Sequence, residues 1–145
     1  MQSIHPSVIV TTYERPRALH VVLESLSKQS ITPHEVIIAD DGSKQSTANV
    51  VEYWRDKMSC PITHSWQEDK GFRAAAARNM AVAHSSGNYL IFLDGDCIVF
   101  HDFIENHIRL AHPNTLVMGS RVLCSKELTE QIEKQHTAPL TWPLS

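Results

Sequence analysis

Tyr89-Leu90-Ile91-Phe92-Leu93-Asp94-Gly95-Asp96 is a run of five apolar residues that ends on two carboxylates separated by a glycine. Nothing polar interrupts the run, so both of its faces are apolar, as in a parallel-sheet strand covered by helices on each side. Working outward, Ser7-Val8-Ile9-Val10-Thr11-Thr12 and Glu35-Val36-Ile37-Ile38-Ala39 read the same way. Ile62-Thr63-His64-Ser65-Trp66 reads as a weaker strand, and Thr115-Leu116-Val117-Met118 as a fifth. Strand centres near residues 9, 37, 64, 91 and 117 recur every 26 to 28 residues. That is the length of one strand plus one crossover helix.

The intervening segments carry helical patterns. Pro16 suits a first turn, and Leu19, Val22, Leu23 and Leu26 then share one stripe. Val50, Val51, Trp54 and Met58 form a second stripe after the Gly42-Ser43 turn, with Ser43 or Ser46 as its N-cap. A third helix is predicted from about Phe72 to Ser85, where the run Ala74–Ala77 lets it lie close to the sheet and Gly87 stops it. Phe103, Ile104, Ile108 and Ala111 predict a fourth, ending before Pro113. The fold class is therefore α/β: an open, mostly parallel sheet with helices on both faces. Residues 1–121 form this domain, and 122–145 are expected to be a polar helix and a tail.

Composition narrows the function. The 145 residues suffice for one domain, and 42% hydrophobic with 20% charged residues is ordinary for a globular protein. A net charge of −3 argues against a general nucleic-acid binder. No apolar run approaches the roughly 18 residues of a membrane span. Met1 to Pro6 lacks the features of a signal peptide, so the expected location is cytoplasmic. Three widely spaced cysteines (Cys60, Cys97, Cys124) point to reduced thiols rather than a disulfide framework. His101, His107 and His112 lie at offsets of six and five, on different helix faces, which does not suit a zinc site.

Carboxylates concentrate where the strands end. Glu14, Asp40, Asp41, Asp69, Asp94 and Asp96 all follow predicted strands, and in such sheets ligands bind outside the carboxyl ends. Mutual repulsion disfavours this crowd unless cations or hydrogen-bond donors join it. Asp94 and Asp96, i and i+2 on an extended segment, point the same way about 6–7 Å apart. Two hard oxygen donors suit Mg²⁺ or Mn²⁺, and a diphosphate is the ligand whose charge such an ion would offset. Gly95 between them lets the backbone turn or a ligand approach. Asp41 stands where it would accept a hydrogen bond from a ligand. Arg73 combines a guanidinium with helix-end amides, a place for phosphate or a base edge. Arg78, five residues on, lies about 140° around the helix and cannot share a clamp with it. There is no Gly-x-x-x-x-Gly-Lys-Ser/Thr loop and no Gly-x-Gly-x-x-Gly, which excludes the common nucleotide-binding loops.

Val8-Ile9-Val10-Thr11-Thr12-Tyr13, Asp40-Asp41-Gly42-Ser43, Gly71-Phe72-Arg73 with Ala77-Arg78-Asn79, and Leu93-Asp94-Gly95-Asp96, in that order, resemble the nucleotide-binding half of the family 2 glycosyltransferases with the GT-A fold. The resemblance covers roughly residues 6 to 120. It implies a nucleotide-sugar donor, a UDP-sugar above all, a Mn²⁺ or Mg²⁺ cofactor, and inverting transfer to a saccharide or other hydroxyl acceptor. By that pattern Thr12, Tyr13, Glu14, Asp41, Arg73, Asp94 and Gly95 bind the nucleotide sugar, and Asp96 with Asp94 binds the metal. Asp41 would hold the base, Arg73 base or phosphate, and Asp94 the ribose. Family members often carry Asn where Glu14 stands. Family chains usually continue for another hundred or so residues that supply the acceptor site and a catalytic base; here Glu127, Glu130 and Glu133 read as a solvated helix face, and the base stays unassigned. The partners implied are the donor, the acceptor, a second copy or second chain completing the acceptor site, and peripheral contact with the cytoplasmic membrane face. Two alternatives stand: a non-catalytic nucleotide-sugar-binding module, and a haloacid-dehalogenase-like phosphohydrolase built on Asp94 and Asp96.

Overall fold

The computed structural model describes residues 3–137. Strands β1 (Pro6–Thr12), β2 (Glu35–Asp40), β3 (Ile62–Trp66) and β4 (Tyr89–Asp94) alternate with helices α1 (Pro16–Ser27), α2 (Gln45–Arg55) and α3 (Ala74–His84). Helices α4 (Phe103–Leu110) and α5 (Lys126–Gln135) follow. The four strands form one all-parallel sheet in the order β3-β2-β1-β4. The α/β class and the helices on both faces are as expected.

Side-chain alternation decides which helix covers which face. Val8, Val10, Val36, Ile38, Ile62 and Ile91 point to the side packed by Leu19, Leu23, Trp54 and Ile104 from α1, α2 and α4. Leu19 and Leu23 are wholly buried, each worth about 1.5–3 kcal/mol of transfer free energy. Ile9, Ile37 and Ala39 point to the opposite side, against Ala77 and Ala81 of α3. Ala77 and Ala81 have no exposed surface, so the small side chains do set α3 close to the sheet. Outside α1, Val21 packs on Ile132 of α5, with Leu128, Ile98 and Cys124 around them. All three cysteines are free thiols, and burial pushes the Cys60 thiol up to about 11.

Two expectations fail. Thr115–Met118 forms no strand; Leu116 and Met118 are 84% and 80% exposed. Strand propensity is realised only where a neighbour supplies hydrogen bonds and a covered face, and this segment has neither. Helix α2 is not capped by Ser43 or Ser46: its N-cap is Lys44, with no side-chain cap. The Ser43 hydroxyl instead accepts from Glu14 N at 2.8 Å, and Ser43 N donates to Asp40 Oδ1 at 2.8 Å. Ser43 therefore ties the β1 and β2 exits together.

Candidate active site

The chain leaves β1 toward β2 and β3 on one side, then returns through α3 to place β4 on the other side of β1. The order reverses at the β1–β4 seam, the place where open parallel sheets bind ligands. Register sets the end of β1 between two acidic strand ends. Thr12 pairs with Asp40 and Thr11 with Asp94, so Asp41 and Asp94 flank β1 about 10 Å apart by strand spacing.

Four of the six rim carboxylates are built into the scaffold. Asp40 is fully buried, bonded to His64 Nε2 at 2.8 Å and Ser43 N. Burial pushes its pKa up, but the bonds from His64 and Ser43 outweigh that and hold it below the usual carboxylate range. Asp41, 3% exposed, accepts from Gln67 Nε2 at 2.6 Å and from Arg73 N at 2.7 Å. Asp69 accepts from the Tyr13 hydroxyl at 3.0 Å and from Gly71 N; the bond to Asp69 and its charge raise the Tyr13 pKa. Glu14 accepts from Lys44 N. Its φ of 50° is left-handed, a conformation in which Asn is several-fold enriched among non-glycine residues.

Gly42 shows how tightly this wall is closed. At φ 99°, a Cβ there would lie 2.6 Å from the Asp69 backbone, so the loop after β3 rests directly on the loop after β2. The Arg73 side chain turns along the same loop, Nη2 donating to Glu68 O at 2.6 Å.

Asp94 and Asp96 differ from Asp40 and Asp41. The Asp94 and Asp96 side chains are 54% and 51% exposed. Gly95 N donates to Thr11 O at 2.7 Å, and a Cβ on Gly95 would sit 2.5 Å from that oxygen. The glycine is thus required by close approach of the β1 backbone. The resulting turn gathers one ligand atom each from Asp94, Asp96 and Cys97 within 4.8 Å of one another, the one such group among the described residues. Burial and the two carboxylates push the Cys97 thiol up, and the two carboxylates supply hard oxygen donors. These fit Mg²⁺ or Mn²⁺.

Sequence reasoning missed the cations around this pair. Arg15 Nη1 donates to Asp96 Oδ2 at 3.0 Å, while Arg78 and Arg121 lie 3.9 Å from the two oxygens of Asp94. Arg78 indeed shares no clamp with Arg73; it faces Asp94. Glu133, expected on a solvated face, is 27% exposed and accepts from Arg15 Nη2 at 3.0 Å. The pairing of Asp96 with a residue 81 positions away has no local signature. Only the shared rim at the carboxyl ends of the strands brings them into one neighbourhood.

Buried polar atoms without a partner are uncommon in native proteins. Among the described residues they are Thr12 Oγ1, Thr47 Oγ1, Arg73 Nε and Arg78 Nε. All four belong to residues at the carboxyl end of a strand, or to the start or first turns of the following helix. A groove of about 1160 Å³ opens beside β4 and takes in Arg15, Asp94, Asp96, Arg121 and Glu133. Thr12, Tyr13, Glu14, Asp41 and Arg73 lie outside its lining, around the β1 and β2 ends.

Residues 7–144 match the sequence pattern of glycosyl transferase family 2. Validoxylamine A glucosyltransferase from Streptomyces hygroscopicus subsp. limoneus is 34% identical over 119 residues, 78% of this chain and 26% of its own length. Hyaluronan synthase from Pasteurella multocida is 36% identical over 141 residues, 95% of this chain and 14% of its own length. The chain thus spans about a quarter or less of these relatives. Among solved structures, S. aureus TarS 1-349 in complex with UDP superposes with a TM-score of 0.63 at 28% identity, over 73% of this chain and 31% of that one. The mannosyltransferase PcManGT from Pyrobaculum calidifontis, in complex with GDP-Man and Mn²⁺, gives 0.64 at 25% identity, over 78% of this chain and 34% of that one.

Proposed function

The chain belongs to glycosyl transferase family 2 and has the GT-A fold, and from that premise we propose that it is the donor-binding part of an inverting, metal-dependent transferase. It takes a sugar from a nucleoside diphosphate sugar, a UDP-sugar, for a saccharide or other hydroxyl acceptor. The observation that carries this is the exposure of Asp94 and Asp96 at the strand-order reversal, while Asp40 and Asp41 at the neighbouring strand end are buried among protein donors. A Mn²⁺ or Mg²⁺ ion held by these two would act as a Lewis acid on the diphosphate, offsetting charge that grows on the leaving nucleotide.

The remaining residues bind and orient. Asp41 has both oxygens fixed by Gln67 and Arg73 N; a carboxylate offers about four acceptor sites, which leaves capacity for the N–H of a base. Tyr13, half exposed and tied through its hydroxyl to Asp69, presents a ring beside that position. The unpartnered Thr12 Oγ1 and Arg73 Nε supply donors for the nucleotide. Asp94, held at 3.2 Å by the Thr11 hydroxyl, is placed for ribose and ion.

A general base must lie within hydrogen-bond reach of the attacking hydroxyl. The buried rim carboxylates are committed, and Glu133 is held by Arg15. We assign the base and the acceptor site to polypeptide beyond the donor domain, in the same protein or a partner. The related proteins' greater length favours this arrangement. Family membership sets the phosphohydrolase alternative aside.

The test is thermal. UDP is expected to raise the melting temperature only with Mn²⁺ or Mg²⁺ present, and Asp96→Ala to abolish that rise without altering the unliganded protein. Equal stabilisation of Asp96→Ala by UDP and Mn²⁺ overturns the metal assignment. Slow metal-dependent hydrolysis of a UDP-sugar without transfer supports a donor part awaiting its acceptor half, whereas binding with no turnover supports a binding-only module.

A further inference from the structure

We infer that Arg15 is a built-in competitor for the ion at Asp96, and that Glu133 of α5 draws it aside when the ion enters; this rests on the proposed metal role of Asp96. The guanidinium is placed by its neighbours. Glu14 turns the chain in the left-handed region and Pro16 opens α1, so Arg15 emerges at the helix N-cap facing the β4 exit. Its two terminal nitrogens divide between carboxylates: Nη1 to Asp96 Oδ2 and Nη2 to Glu133 Oε1, each at 3.0 Å. Glu133 is presented by packing, because its neighbour Ile132, 8% exposed, is seated on Val21 of α1.

One of the two Asp96 oxygens is therefore already occupied by a positive group. A divalent ion taking Asp96 through Oδ2 displaces Nη1, and one taking Oδ1 stands beside a like charge, so the guanidinium opposes either mode. Glu133 offers the displaced guanidinium a second anion within reach, and Arg can bond a carboxylate through two nitrogens at once. Removing Arg15 strips the competitor away. Removing Glu133 leaves Arg15 with Asp96 alone and strengthens the competition. The order of affinities follows: Arg15→Gln tightest, the parent protein between, Glu133→Gln weakest.

The measurement is Mn²⁺ alone titrated into the protein and read as loss of the free-ion electron paramagnetic resonance signal, with Asp96→Ala defining the site. Arg15→Gln is expected to tighten binding about two- to fivefold, the range an exposed ion pair supports. Glu133→Gln should weaken it similarly, and Arg15→Lys should stay close to the parent. The double variant Arg15→Gln/Glu133→Gln separates a relay from simple charge addition. Matching Arg15→Gln supports the relay; returning to the parent value means the two charges act independently and overturns the role of Glu133. Asp96-dependent binding that Arg15→Gln leaves unchanged or weakens overturns the inference while sparing the metal assignment. No Asp96-dependent binding in any variant overturns both.

Discussion

Two pairs of acids, Asp40-Asp41 and Asp94-Gly95-Asp96, end two strands of one sheet, and they have opposite fates. Asp40 and Asp41, after β2, are 0% and 3% exposed and engaged by His64, Ser43, Gln67 and Arg73 N. Asp94 and Asp96, at β4, are about half exposed, and among the described residues their side chains meet only guanidiniums, the Thr11 hydroxyl and a thiol. Strand position explains the difference. Between β1 and β3, β2 has neighbours on both sides whose exits close over its end, whereas among the described residues β4 pairs only with β1. A carboxylate enclosed by donors is fixed in place; one facing solvent beside movable cations keeps its lone pairs for an incoming ion.

Substitutions test that division. The largest effect is expected from Asp40→Ala, which strands His64 and the Ser43 amide around a buried void. A loss of about 3 kcal/mol in urea denaturation is expected, and a loss under about 1 would show the pair to be no firmer than a surface contact.

Acid should resolve the same contrast. Asp40 and Glu35 both titrate below their ordinary values. For Glu35, burial pushes upward but bonds from Ser7, Ser86 and Gly87 prevail. Such groups bind fewer protons folded than unfolded, so their stabilisation is complete above the unfolded pKa near 4 and lost as pH falls through the folded value. His20 and His107 are held low by burial, His20 also by His136. Trp54 Nε1 donates to His20 Nδ1 at 3.3 Å, which requires the neutral ring. Their contribution is full above about pH 6.5 and declines below it. Denaturation midpoints should therefore fall in two steps on acidification. Asp40→Asn should flatten the lower step.

The smallest effect is reserved for Asp96→Ala. Exposed ion pairs contribute roughly 0–1 kcal/mol, so its stability should lie within about 0.5 kcal/mol of the parent. A cost as large as that of Asp40→Ala would erase the distinction between the two strand ends.

Much of this was legible beforehand. The runs at β1, β2 and β4 announced a doubly covered parallel sheet because both faces are apolar, and Leu19, Val22, Leu23 and Leu26 are buried on the stripe their spacing drew. The acidic rim followed from the residues that come after each strand of a parallel sheet. What escaped was contingent on three dimensions. Thr115–Met118 has strand composition without a partner, and Ser43 spends its hydroxyl on Glu14 instead of on α2. Whether a rim carboxylate is walled in depends on which loops fold over it, as Asp69 rests on Gly42. Arg15, Arg78 and Arg121 reach Asp94 and Asp96 from three distant segments, and no short window holds both members of any pair.

The outward side of β4 has a practical consequence. Phe92 is half exposed there, and Leu116, Met118, Val122 and Leu123 are mostly solvent-facing nearby. Among the described residues no strand pairs with this edge, and open backbone amides and carbonyls next to greasy side chains are a template for sticking to any other extended chain. Handling the polypeptide at high concentration thus favours clumping over clean monodispersity, and a lysine at position 92 is the economical remedy, since it lies one strand away from the fully enclosed Ile9 and outside the acidic turn.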